Sequence, residues 1–207
     1  MTSRDLTSAP AGINRHVLSL GRWFYRKRGW TPVPFVLALL ILGEPTPASL
    51  LRGGLLLVLG EVVRLWSVAY SGPDTRRFEV MADTLATGGP YAVMRNPIYA
   101  GNLLMYTGTV LMANVPLVAW LIITWLFFGA QYWLIIQVEE RVLESRFGST
   151  YRAYCRRVPA YHPRIPSLDE WSASPPAWPG ALQSETSTWA SAVVVVGAMM
   201  AKMVLTG

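Results

Sequence analysis

Residues 96–138 form a run of 43 positions without a single formally charged side chain. A helical membrane span needs ~20 apolar residues, so this run is long enough for two. Asn114-Val115-Pro116 marks the break between them. The pattern predicts a helical hairpin over 98–113 and 117–138 with a very tight turn. A soluble domain carries about a quarter charged residues; this chain of 207 residues carries 14% and is 52% hydrophobic. An ordinary water-soluble enzyme is therefore excluded, and the chain is too short for two substantial domains.

Three further apolar stretches complete the expected bundle. Residues 34–42 are short, 50–69 longer, and 188–205 are rich in Val, Ala and Met. The fold class expected is an all-α integral membrane protein with about five transmembrane helices, a tight helical hairpin and a pocket on the cytoplasmic side. Basic residues give the orientation, because cytoplasmic connections collect Arg and Lys. Arg15, Arg22, Arg26, Lys27 and Arg28 precede the first span; Arg76, Arg77 and Arg95 lie between the second and third. Arg141, Arg146, Arg152, Arg156, Arg157 and Arg164 lie between the fourth and fifth. The connections 43–49 and 114–116 contain neither Lys nor Arg. The N-terminus is thus expected in the cytoplasm, the C-terminus on the opposite side, and a bacterial inner membrane is the expected location. No cleavable signal peptide is expected, because the first apolar run starts late and lacks a small-residue cleavage site.

The chain divides into a cytoplasmic N-terminal segment (1–29), the first two spans (30–70), a core with the hairpin (71–166), and an interfacial linker with the last span (167–207). The net charge of +6 fits an anionic membrane surface, and the apolar runs leave no role for nucleic acid. One cysteine and two histidines exclude internal disulfides and leave too few ligands for a Cys- or His-rich metal site, so no metal is expected.

Two segments that abut spans carry unusual chemistry. The first, 88–101, reads Gly-Gly-Pro-Tyr-Ala-Val-Met-Arg-Asn-Pro-Ile-Tyr-Ala-Gly. Gly88-Gly89-Pro90 is a turn with exposed amides, and Pro97 suits the first position of a helix, where its missing N–H costs nothing. Arg95, Asn96 and the free amides of that helix start are expected to face one place, which suits an anionic or carboxylate-bearing ligand. The second segment places Glu139 and Glu140 where a long apolar helix meets the cytoplasm. The helix dipole disfavours carboxylates at a C-terminus, so either the helix continues or the pair binds something, such as a hydroxyl or an amine. A third feature is Glu61 and Arg64, one turn apart in the second span, where ionisable groups are costly and mark site candidates. Asn102 and Tyr106, on one face of the third span with Tyr99, line the same interior.

These residues together resemble the integral-membrane methyltransferases that include isoprenylcysteine carboxyl methyltransferase and the phospholipid N-methyltransferases. The matching text is Gly89-Pro90-Tyr91, Arg95-Asn96-Pro97-Ile98-Tyr99-Ala100-Gly101, the apolar hairpin, Glu139-Glu140 with Leu143, and Phe147-Gly148 with Tyr151 and Tyr154. Val158-Pro159 and Pro163 close it, so the resemblance covers roughly half the chain, from about 55 to 165. It implies S-adenosylmethionine as cofactor, held on the cytoplasmic side by Gly89, Pro90, Tyr91, Arg95, Asn96, Pro97, Tyr99, Gly101, Glu139 and Glu140. It also implies a lipid or lipidated acceptor drawn laterally from the bilayer, a phospholipid amine or a lipidic carboxylate. Glu139, Glu140 and Arg95 are the catalytic candidates; Glu61, Arg64, Asn102 and Tyr106 are the substrate candidates. Many relatives have His where this chain has Asn96, which cannot titrate; the change points away from an isoprenylcysteine substrate. The rival readings are a non-enzymatic transporter or lipid-binding protein, built on Glu61 and Arg64, and an NADPH-dependent sterol-reductase-like enzyme. A transporter is expected to show inverted repeats, and none is visible; the chain is short for the reductase fold.

Overall fold

The computed structural model describes residues 15–72, 84–173 and 175–206. Every regular element among them is a helix: α1 (Arg15–Lys27), α2 (Pro32–Leu42), α3 (Pro47–Ser71), α4 (Pro90–Val93), α5 (Pro97–Ala113), α6 (Leu117–Arg157), α7 (Leu168–Trp171) and α8 (Trp178–Thr206). Arg76 and Arg77, which entered the charge asymmetry, lie outside the described residues.

The start of α3 is set locally. Thr46 caps it: its Oγ1 accepts from the Ser49 amide at 3.1 Å, and Ser49 Oγ accepts from the Thr46 amide at 2.9 Å. This reciprocal box satisfies two amides that would otherwise lack partners, and Pro47 follows at the first helical turn. Ser49 Oγ also donates to the Met112 carbonyl at 3.0 Å, tying the start of α3 to the end of α5.

From there α3 and α5 run antiparallel in the closest helix contact of the bundle. Gly53 faces Gly108, and Gly60 faces Gly101. A Cβ on Gly60 would stand 2.6 Å from the Gly101 carbonyl oxygen, and one on Gly108 the same distance from that of Gly53. Without a hydrophobic driving force between helices in lipid, such small-residue seams let backbones approach and gain dispersion contacts. Gly101, expected at the cofactor site, is therefore a packing residue of this seam.

The hairpin turn is as tight as its sequence predicts. α5 ends at Ala113, Asn114 takes the left-handed conformation (φ 51°, ψ 47°), and α6 begins at Leu117. Asn114 Nδ2 donates to the Glu44 carbonyl at 3.0 Å and thereby joins the two short connections on this side.

Two helices extend past their expected bounds. α6 does not stop at 138 but runs to Arg157, about 60 Å at 1.5 Å per residue. That is twice the bilayer core, so its second half projects beyond the apolar stretch. Gly148 breaks the helical geometry there (φ 51°, ψ −118°). α8 begins at Trp178, ten residues before the apolar stretch at 188, because Pro179 is tolerated in a first turn and Glu185 finds a cationic partner.

Leu117–Arg157 and Trp178–Leu205 are long and apolar enough to cross a membrane, and Pro32–Leu42 is a shorter apolar helix. α3, expected as a span, carries Arg52, Glu61 and Arg64, and α5 is only 17 residues long. Ile41, Leu55, Val62, Leu126, Val194 and Leu205 are all more than half exposed. Exposed apolar surface on this scale marks membrane association.

The seam predicts that Gly60→Val forces α3 and α5 apart at a cost of about 1–3 kcal/mol. The melting temperature of the detergent-purified protein should fall by several degrees, whereas Gly54→Ala, where a Cβ meets nothing within 4 Å, should not lower it.

Candidate active site

One cavity of about 1130 Å³ runs through the bundle between α1, α2, α3, α5, α6 and α8. Its wall changes character along the helices. At the end where α6 leaves its apolar stretch it is polar, with Tyr91, Arg95, Asn96, Tyr99, Glu139, Glu140, Tyr151 and Tyr154. At the other end it is apolar, with Val33, Leu37 and Leu40 of α2, Leu57 of α3, and Val194 and Val195 of α8. Arg64, Asn102 and Glu185 stand between.

Adjacent residues on a helix point about 100° apart, and Glu139 and Glu140 accordingly take different partners. Tyr99 Oη donates to Glu139 Oε1 at 2.7 Å. Glu140 Oε1 receives Arg95, with Nε at 2.9 Å and Nη2 at 2.7 Å. Glu139 is the first residue past the apolar stretch of α6. Burial pushes its carboxyl up to about 7, helped by the neighbouring Glu140 and opposed by the Tyr99 hydrogen bond and the Arg28 charge. Arg28 lies 4.1 Å above the Tyr25 ring, so α1 closes this end of the cavity.

Arg95 also organises the segment after α6. Its Nη1 donates to the Val158 carbonyl at 2.9 Å, and its backbone amide to Pro159 at 2.9 Å. Asn96 Nδ2 donates to the Ala160 carbonyl at 3.3 Å, and Arg164 Nε to Ala92 at 2.9 Å. From within α6, Tyr154 Oη donates to the Tyr91 carbonyl at 2.8 Å. Residues 158–164 thus strap back over α4. Arg95 and Asn96, expected to face an anionic ligand, spend these donors within the protein.

Other expected site residues fall elsewhere. The Gly89 amide, expected exposed, donates to the Trp171 carbonyl at 2.9 Å. Gly89 has φ 55°, and a Cβ there would meet the Tyr70 ring at 2.5 Å. Gly89, Pro90, Pro97 and Gly101 do not line the cavity; they shape the turn, the helix start and the seam. Glu61 is also off the cavity wall: it accepts from Trp189 Nε1 at 2.6 Å and lies 3.7 Å from Arg64. Tyr106 does line the cavity, stacked on Phe128 at 3.9 Å.

The sequence reading missed Glu185. It is fully buried and receives Arg64 from Nε at 3.2 Å and from Nη2 at 2.8 and 2.6 Å. The available signal was one acid within a turn of an apolar helix, ahead of Trp189, in a stretch read as linker. Arg28 of the N-terminal segment was likewise assigned only to orientation.

Residues 48–150 match the family model described as phospholipid methyltransferase. The cobalt-zinc-cadmium resistance protein CzcN of Cupriavidus metallidurans is 36% identical over 177 residues, 80% of this chain and 76% of its own. The chain belongs to the phospholipid methyltransferase family. As a family member it is a methyltransferase. Protein-S-isoprenylcysteine O-methyltransferase B of Arabidopsis thaliana is 32% identical over 116 residues, 53% of this chain and 57% of its own. Methanethiol S-methyltransferase 2 of Bradyrhizobium diazoefficiens is 34% identical over 90 residues, 44% of this chain and 34% of its own. No solved structure matches the chain significantly. The family-matched residues contain Arg64, Arg95, Tyr99, Glu139 and Glu140, whereas α1 and α8, with Arg28 and Glu185, lie outside them.

Arg95→Ala strands Glu140 and frees the carbonyls of Cys155 and Val158, so it should cost of the order of 2 kcal/mol. A thermal melt in detergent checks this. Arg95→Lys should recover less than half, because an ammonium cannot reproduce the guanidinium fork.

Proposed function

We propose that this chain transfers a methyl group from S-adenosylmethionine to a lipophilic acceptor at the cytoplasmic face of the membrane. The observation that carries the reading is the continuity of one cavity from a polar, carboxylate-bearing end to an apolar end between α2 and α8. A polar cofactor and a lipid chain then meet in one space; 1130 Å³ exceeds the usual ~300–1,000 Å³ of a single-ligand pocket. Tyr151 Oη, buried at the polar end with no hydrogen-bond partner among the described residues, fits a polar group of the cofactor. In this reading α2, α3, α5, the apolar half of α6 and α8 are the five spans, with the N-terminus in the cytoplasm and the polar end of the cavity on that side.

S-adenosylmethionine supplies an electrophilic methyl carried on a sulfonium. The residues of this chain do the rest: they align the acceptor, exclude water, and take a proton where the acceptor requires it. The acceptor class favoured by the geometry is the amine of a phospholipid headgroup. Arg95 and Arg64, which would orient a carboxylate, are each already held by a carboxylate, Glu140 and Glu185. An ammonium headgroup must lose a proton before it attacks, and Glu139, with its carboxyl near 7, is placed to accept it. A lipidic carboxylate is the second reading, favoured by the similarity to the Arabidopsis thaliana protein-S-isoprenylcysteine O-methyltransferase.

Calorimetric titration of S-adenosylmethionine into the detergent-purified protein should show saturable binding, weakened at least tenfold in Glu140→Gln. Absence of binding to folded wild type would sink the reading. The pH profile follows from Glu139: the ionised form is the base, so kcat/KM with phosphatidylethanolamine should rise as pH increases through about 7 and level off above. In Glu139→Gln that rise should vanish; a rise of the same size would remove Glu139 from the role.

A further inference from the structure

Helix α8 is fully buried only towards its two ends; between them its inner face is half-buried, with Trp189 donating to Glu61 and Ala192, Val195 and Val196 packed against the core. Near its start Ala181 and Glu185, one turn apart, are both fully buried. Near its end Met199 is buried, and Lys202 Nζ donates to the carbonyls of Leu40 and Ile41 on α2 at 2.8 and 2.7 Å. Between these anchors the cavity wall is made by Thr188, Ser191, Val194 and Val195. α8 is thus a wall pinned at top and bottom, and the residue that pins it nearest the polar end is a carboxylate.

A buried carboxylate next to lipid is expensive, and an apolar contact would anchor α8 without that cost. What the carboxylate adds is direction. Glu185 takes Nε and Nη2 of Arg64, and the remaining guanidinium nitrogen, Nη1, donates to Asn102 Oδ1 of α5 at 2.6 Å. Three helices therefore fix one planar group on the cavity wall, at the level where polar lining gives way to apolar lining.

We infer that Glu185 is a positioning residue for acceptor specificity: it holds the Arg64 guanidinium across the cavity at the boundary between cofactor end and lipid end, and so sets how deep an acceptor headgroup sits. The inference rests on the methyltransferase reading above and extends it to a helix beyond the family-matched residues. Cofactor binding, which belongs to the polar end, should not depend on Glu185; acceptor binding should.

The test compares wild type, Glu185→Gln, Arg64→Met and the double variant Arg64→Met with Glu185→Met. Its readouts are the Kd for S-adenosylmethionine, the KM and kcat for phosphatidylethanolamine in mixed micelles, and a thermal melt. Glu185→Gln should raise the acceptor KM about tenfold while the cofactor Kd stays within about twofold. The double variant removes both charges of the pair, leaving no unpaired Arg64, so it should melt closer to wild type than Arg64→Met alone, short of it by the lost Glu61 contact, yet keep the raised acceptor KM; it also carries the test if Glu185→Gln fails to fold. A double variant with wild-type KM would show that the pair only anchors α8 and would overturn the inference. So would Glu185→Gln weakening the cofactor with the acceptor KM unchanged. Wild type that binds the cofactor but methylates no phosphatidylethanolamine overturns it together with the amine reading. Wild type that binds no cofactor identifies failure of the methyltransferase reading itself.

Discussion

The close approach of α3 and α5 is the contact on which the remaining geometry depends. Gly53 and Gly60 meet Gly108 and Gly101 with backbone against backbone, and no larger residue fits at that spacing. The seam puts Arg64 one turn past Gly60 and Asn102 one residue past Gly101, so the two side chains meet at 2.6 Å. The same approach sets the start of α5, and with it Arg95 and Tyr99, opposite the point where α6 carries Glu139 and Glu140. A separation larger by the width of two methyl groups would break the Arg64–Asn102 hydrogen bond that crosses the seam.

The charges inside the bundle are arranged by a second constraint, that a charge out of water must be paired. Arg95 finds Glu140, 45 residues away, and Arg64 finds Glu185, 121 residues away. Glu139 is treated differently. It has a phenol at hydrogen-bond distance in place of a guanidinium, and its carboxyl rises to about 7. Of two neighbouring carboxylates on one helix, Glu140 is fixed in an ion pair and Glu139 is able to exchange a proton near neutral pH. That division of roles is what methyl transfer to an amine needs at one site.

Much of this was legible in the sequence, and what was not has identifiable causes. The hairpin was readable because a charge-free run longer than one span, with Asn114 and Pro116 in the middle, permits little else. Glu139, Glu140, Arg95 and Tyr99 were readable because carboxylates at the end of an apolar helix and an Arg-Asn-Pro entry contradict helix-dipole and solvation preferences unless something uses them. Gly101 was misassigned because a packing glycine and a ligand-contacting glycine look alike until the facing helix, with Gly60, is seen. Glu185 was missed for a related reason: its partner Arg64 is 121 residues away, and one acid at the edge of an apolar stretch, inside a segment that reads as linker, does not by itself point to that partner. The length of α6 was hidden by polarity, since its last 19 residues, 139–157, read as a cytoplasmic segment, yet they remain helical to Arg157 apart from the break at Gly148.

The central claim is that one cavity holds a polar cofactor at its carboxylate-bearing end and a lipid at its apolar end. A structure of the protein in lipid nanodiscs with S-adenosylhomocysteine tests it most directly. The account predicts density for the nucleoside product beside Glu139, Glu140 and Tyr151, with an acyl chain entering between α2 and α8. Product density outside this cavity, or a lipid chain occupying the polar end in its place, would contradict it.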